Sequence, residues 1–198
     1  MSTAKSTDDL TAITPAGTAC FVHVWEPFAF KPAPGQAPKD PDYSLMLVFD
    51  DGTDITDLKK LAGRAASAKW GADAKQMAAS GQLRWPWRPG REYAKYGEPF
   101  DKKGAVFIRA ASRSAPGVVD SRAKPIMKQQ DFYAGCRARI SVYAHAYDTM
   151  GNKGVTFLLN NVQKVADGKK LAGTKADAEK EFGAIAGSDS GDDSDDLF

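Results

Sequence analysis

Side chains that hold metals or form covalent cross-links are scarce in this chain. Its 198 residues include two histidines, His23 and His145, and two cysteines, Cys20 and Cys136, too few for a His- or Cys-rich metal site. Both cysteines lie in apolar, strand-like runs and read as small buried thiols rather than as a disulfide. Long hydrophobic runs are missing as well. No segment approaches the roughly 20 apolar residues of a membrane span, and residues 1–17 lack a signal-like apolar stretch. A soluble, cytoplasmic protein with no membrane contact is therefore expected. Neither a Gly-rich phosphate loop nor a nucleophile elbow occurs, so no enzymatic activity and no cofactor are expected. The acidic cluster Asp50, Asp51, Asp54 and Asp57 is the one candidate for a metal-dependent nuclease. Its place at a predicted helix start explains it more cheaply, through capping and the helix dipole.

Strong net charge is also lacking, but the average conceals a split. Lys and Arg number 27 against 25 Asp and Glu, a net +2. Five of the aspartates fall in the last eleven residues, 188–198, and the rest of the chain then stands at 27 against 20, a net +7. A basic body with an acidic tail is the asymmetry expected of a protein that contacts nucleic acid. Hydrophobic residues make up 42% of the chain, enough for a real core.

The pattern along the chain is mainly β. Residues 18–25 (TACFVHVW) predict a strand ended by Glu26-Pro27, and a Pro-rich loop follows over 31–41. Residues 43–49 (YSLMLVF) are apolar on both faces and predict a central strand. An Asp-rich turn then supplies the N-cap of a helix over 55–70, with Leu58, Leu61, Ala62, Ala65 and Ala66 at helical spacing. Residues 71–104 are mixed, beginning with a short helical stretch. Further strands are predicted at 105–113, 136–147 and 154–165, the last two joined by a hairpin turn over 148–154. Five or so strands, one principal helix and long loops fit an OB-fold-like Greek-key barrel better than a parallel α/β sheet. The domain is expected over 15–165, preceded by a flexible arm (1–14). It is followed by a polar linker with a short helical turn (166–187) and a disordered acidic tail (188–198).

The most informative segment is residues 136–147. Strand alternation puts Cys136, Ala138, Ile140, Val142, Ala144 and Ala146 on one face, and Arg137, Arg139, Ser141, Tyr143, His145 and Tyr147 on the other. Cations followed by aromatics on an exposed strand face suit a single-stranded nucleic acid: arginines neutralise phosphates, and rings stack on bases of any identity. The plain alternative is a solvated face whose tyrosines half-bury against a loop. Arg84-Trp85-Pro86-Trp87-Arg88 interleaves cations with indoles in a rigid loop, although loop tryptophans more often pack as lids over a barrel mouth. Tyr93 and Tyr96, near Arg91 and Lys95, share this ambiguity. Arg109 and Arg113 lie on the same strand face as Phe107 and extend the basic aromatic surface, and Lys153 is a further phosphate contact on the hairpin. The tail supplies a partner-binding candidate in Asp192, Asp193, Asp195, Asp196, Leu197 and Phe198: a mimic of DNA charge ending in a ring and a carboxylate that a basic pocket can hold.

Several short stretches point to a family: Trp25-Glu26-Pro27, Gly117-Val118-Val119-Asp120, Tyr133-Ala134-Gly135-Cys136, Gly151-Asn152-Lys153-Gly154, Leu159-Asn160-Asn161-Val162-Gln163-Lys164 and Asp167-Gly168. Together they resemble a family of bacteriophage single-stranded DNA-binding proteins. The resemblance implies an OB-fold, sequence-independent binding of single strands and a role in phage DNA replication or recombination. The tail separately resembles the acidic, Phe-ending tails of other single-strand binders. Bacterial ones typically carry Ile-Pro before the Phe, where this chain has Leu197 and no proline. A phage polymerase, helicase or recombination protein is the partner class this implies, with self-association on DNA. The alternatives are a metal-dependent nuclease and an RNA-binding protein of the same fold.

Overall fold

Apolar runs with a two-residue period condense here into one sheet that closes on itself. The computed structural model describes residues 10–29, 39–149 and 151–171. Its strands are β1 (Thr11–Ile13), β2 (Gly17–Phe28), β3 (Asp42–Phe49), β4 (Leu83–Arg84), β5 (Trp87–Pro89), β6 (Val106–Ser112), β7 (Gly117–Val119), β8 (Arg137–Thr149) and β9 (Asn152–Ala166). Helices α1 (Thr56–Trp70) and α2 (Asp73–Ala79) lie between β3 and β4, and a 3₁₀ helix (Gly90–Tyr96) follows β5.

Five strands form the closed ring. β2 pairs with β3, β3 with β6, β6 with β9, β9 with β8, and β8 returns to β2. Every one of these pairs is antiparallel except β6–β9, which is parallel. That order is the Greek-key barrel of the OB type. Two seams are short: β2–β8 through Gly17↔Ala138 and Thr18↔Arg137, and β6–β9 through Ala110↔Phe157 and Ala111↔Leu158. The remaining strands are splints on this ring. β1 extends the free edge of β8, β5 lies along β6, and β4 and β7 lie along β9.

Leu45, Leu47 and Phe49 of β3, Ile108 and Ala110 of β6, Ile140 and Val142 of β8, and Phe157 and Leu159 of β9 fill the barrel. The apolar stripe of α1, Leu58, Leu61, Ala62, Ala65 and Ala66, belongs to the same core. Each buried leucine of that stripe contributes about 1.5–3 kcal/mol. Burial pushes the Cys20 thiol up to about 12 and raises that of Cys136, as expected of packed thiols.

Three departures from the sequence pattern have local causes. β2 continues past Glu26-Pro27 to Phe28, because its pairing with β3 jumps from His23↔Ser44 to Phe28↔Asp42 and leaves Pro27 outside the ladder. Residues 11–13 of the expected arm form β1, against Ser141, Val142 and Tyr143. The β8–β9 ladder continues to Thr149↔Asn152, so the hairpin turn is tighter than the seven residues anticipated. The Asp-rich turn precedes α1 as expected but does not supply its cap: the N-cap position is Ile55, with no side-chain cap hydrogen bond, and Asp54 closes a local turn instead. The Thr56 N–H donates to Asp54 Oδ1 at 2.8 Å, and the hydrogen bonds from Thr56 hold that carboxyl below its usual range.

Candidate nucleic-acid interface

β8 alternates as its sequence demands, with Ala138, Ile140, Val142 and Ala144 buried and Arg139 and His145 exposed. The outward residues nevertheless have different neighbours along the strand. Arg137 fastens the β2–β8 seam: it donates to the Ala16 carbonyl at 3.0 Å, to Thr18 Oγ1 at 3.3 Å and to Asp50 Oδ2 at 3.1 Å. Arg139 Nε donates to Gln163 Oε1 at 2.7 Å, and Gln163 in turn donates to the Asp120 carbonyl at 2.9 Å. Tyr143 is half-buried, paired with Thr11 of β1 and Leu158 of β9. Tyr147 alone, at the far end, reaches the groove described next.

That groove, about 600 Å³, gathers six of the predicted residues, Arg84, Trp85, Trp87, Arg88, Arg109 and Tyr147, together with Glu92 and Thr156. β4 and β5 bring the first four there, because Leu83 and Arg84 pair with Lys153 and Gly154 of β9 while Trp87 pairs with Ile108 of β6. Pro86 between the indoles lets them lie over each other, with centroids 5.1 Å apart and planes 12° from parallel. Both rings also pack on the barrel core, so they are lid and groove wall at once. Arg88 Nε lies 3.2 Å from Glu92, and Arg109 Nη2 lies 2.7 Å from Asp42 Oδ1. Gly154 admits Tyr147: a Cβ there would fall 2.8 Å from the Tyr147 hydroxyl and would crowd the Arg84 carbonyl. Lys153 pairs with Asp148 at 3.6 Å beside this wall.

The outer face of β2, β3 and β6 adjoins the groove. His23 and Phe28 stack at 4.4 Å with planes 11° apart, Phe28 being 42% exposed. Burial lowers the His23 pKa; more weakly, Asp42 raises it and Arg109 lowers it. Sequence inspection missed the pair, because only the irregular end of β2 brings the two rings together. Phe107 corrects an expectation: it is 3% exposed, covered by Tyr93 (4.9 Å) and Phe100 (5.6 Å) from the 3₁₀ helix and the segment after it. It is floor, not surface. Arg113 lies past the end of β6 and pairs with Asp40 at 2.6 Å, outside the groove.

Three of the four residues of the acidic cluster have partners. Asp50 meets Arg137 and Lys102, Asp54 holds Thr56, and Asp57 pairs with Lys60. Among the described residues, no group of three His, Cys, Asp or Glu side chains is placed to hold a metal ion. The tail residues Asp192, Asp193, Asp195, Asp196, Leu197 and Phe198 lie outside the described residues.

A closed barrel in this strand order, with an arginine- and tryptophan-lined groove beside its third strand, defines an oligonucleotide-binding module. The chain belongs to the family described as Enterobacter phage Enc34, ssDNA-binding protein, whose model matches residues 12–198. No curated protein sequence matches it. Among solved structures, the single-stranded DNA-binding protein from bacteriophage Enc34 superposes with a TM-score of 0.62 at 13% identity, over 86% of this chain and 89% of that one. The same protein in complex with ssDNA gives 0.62 at 15% identity, over 82% and 89%. Gp2.5, a single-stranded DNA binding protein encoded by bacteriophage T7, gives 0.57 at 13% identity, over 89% and 98%. These likenesses establish the shared fold.

Proposed function

We propose that the chain coats single-stranded DNA without regard to sequence, drawing the strand through the groove between Trp85, Trp87, Arg109 and Tyr147, and that it performs no catalysis. The observation that carries this is the convergence in one open groove of three arginines and three aromatic rings, contributed by β4, β5, β6, β8 and the link between β4 and β5. Rings stack on any base and arginines on any phosphate, so such a groove is blind to sequence. The test is an anisotropy titration of labelled oligonucleotides. Single-stranded DNA of unrelated sequences should bind with similar affinity and duplex DNA far more weakly. Tighter binding to RNA of matched sequence would favour the RNA alternative. Magnesium-dependent shortening of the oligonucleotide would overturn the non-enzymatic reading.

The acidic tail is proposed to moderate this binding and to present Leu197-Phe198 to a replication protein. What supports a role at the groove is the course of the segment after β9. Leu171 packs against the cluster of Cys20, Met46, Val48, Phe100, Ala105 and Phe107 on the outer face of β2, β3 and β6.

A further inference from the structure

The aromatic cluster beyond the groove has a built feature that core packing alone does not require. Phe21 holds φ at +47°, a conformation that a bulky residue rarely adopts and that is often found beside functional sites. The cause is a bulge: Cys20↔Met46 and His23↔Ser44 leave one extra residue in β2. Simple alternation would turn Phe21 into the barrel. Instead the bulge aims it outward, alongside Cys20, where its ring meets Tyr96 edge-on at 5.1 Å, Tyr93 at 6.1 Å and Phe100 at 5.9 Å. Tyr96 is 52% exposed, although it sits against two rings, Phe21 at 5.1 Å and Tyr93 at 5.6 Å. Lys95 places its ammonium 5.0 Å from the centre of that ring, and Arg91 is exposed on the same 3₁₀ helix.

This platform is continuous with the groove. Glu92 lines the groove and the next residue, Tyr93, stands in the cluster. Phe107, the floor of the cluster, and Arg109, in the groove, are two residues apart on one face of β6, about 7 Å along the strand. That span is about two nucleotides even at the duplex rise of roughly 3.4 Å.

We propose that a single strand leaving the groove crosses onto the Tyr96 ring, where a further base stacks against a platform backed by Phe21, with Lys95 and Arg91 taking the flanking phosphates. The proposal rests on the groove being the DNA path. It is tested with oligo-dT of increasing length, titrated against the full chain and four variants. Tyr96→Ala should weaken binding of long oligomers by about fivefold or more, the low end of one base-on-ring stack. Oligomers too short to leave the groove should bind it as they bind the unaltered chain. Tyr96→Phe keeps the ring and should restore binding to within about twofold of the original, since stacking needs no hydroxyl. Lys95→Gln should reduce the salt slope for long oligomers by about 0.7, one phosphate. Trp85→Ala/Trp87→Ala separates the two ideas. If it weakens binding at every length while Tyr96→Ala weakens none, the platform is wrong and the groove stands. If a folded Trp85→Ala/Trp87→Ala variant binds normally at every length, the groove itself is wrong and the platform falls with it.

Discussion

Arg109 and Arg137 are each held by an aspartate, Asp42 and Asp50, but only Arg109 lines the groove. Arg137 spends its donors on Ala16, Thr18 and Asp50 across the short β2–β8 seam. Arg137→Ala should therefore cost stability, about 1 kcal/mol after allowing for its partial exposure. A lower midpoint in urea with oligonucleotide affinity nearly unchanged is the expected pair of results. Loss of affinity in a fully stable variant would return Arg137 to the DNA surface. Trp87 shows the opposite balance. It is part of the groove wall, and Trp87→Ala should lose about 1–3 kcal/mol of binding, roughly 5- to 150-fold, as read by anisotropy in a variant whose folded spectrum is intact. Gly154 belongs to the same wall through its contact with Tyr147 and Arg84. Gly154→Ala should both lower the melting temperature and weaken binding, because the added methyl displaces the tyrosine and the β4 backbone together.

The elements legible in the sequence were those with long periodic runs. The alternation of β8 and the α1 stripe needed only period two and period 3.6 to be found. β4, β5 and β7 are two or three residues long, too short for any period, and exist because β6 and β9 offer them an edge. The groove inherits that difficulty. Arg84, Trp87, Arg109 and Tyr147 come from four strands, so the residue types were recognisable while their meeting was not. Phe107 failed for a related reason, since the lid that covers it is a 3₁₀ helix with no strand-like signal. The stretches that carried the family resemblance prove to be joints. Gly117 to Val119 pair with Asn161 to Gln163, and Tyr133 Oη donates to Asp167 at 2.8 Å. Gly135, at φ +111°, lies so close to the strap after β9 that a side chain there would strike the Lys169 carbonyl. These contacts fix residues 167–171 across the seam, helped by Lys164 at 2.7 Å from Asp167. The hydrogen bonds from Lys164 and then Tyr133 hold the Asp167 carboxyl below its usual value. A carboxyl depressed in the folded state contributes stability above its unfolded value of 3.8 and loses it as pH falls through the folded one. Tyr133→Phe should accordingly lower the melting temperature at pH 7. The difference should shrink on acidification below the ordinary aspartate range, while DNA affinity at pH 7 stays close to that of the original. An equal deficit at all pH values would mean the hydroxyl acts without Asp167.

For the whole molecule the decisive quantity is where charge sits relative to the groove. The chain carries +2, but the part before residue 188 carries +7, and on the proposed reading the tail sets which of these an approaching phosphate meets. The strap anchored at Tyr133 and Asp167 delivers Leu171 to the cluster beside the proposed groove, and 27 residues follow it in the sequence. Deleting residues 188–198 should tighten binding of single-stranded DNA at low salt. The gain should fade as added salt shortens the Debye length from about 30 Å at 0.01 M to about 8 Å at 0.15 M. Replacing the five tail aspartates with asparagine, while keeping Leu197-Phe198, separates charge from the terminal hook. Equal tightening in both forms assigns the effect to charge and leaves the last two residues for a partner protein. A truncated chain that binds no more tightly than the full one at 0.01 M salt would remove the tail from the groove altogether.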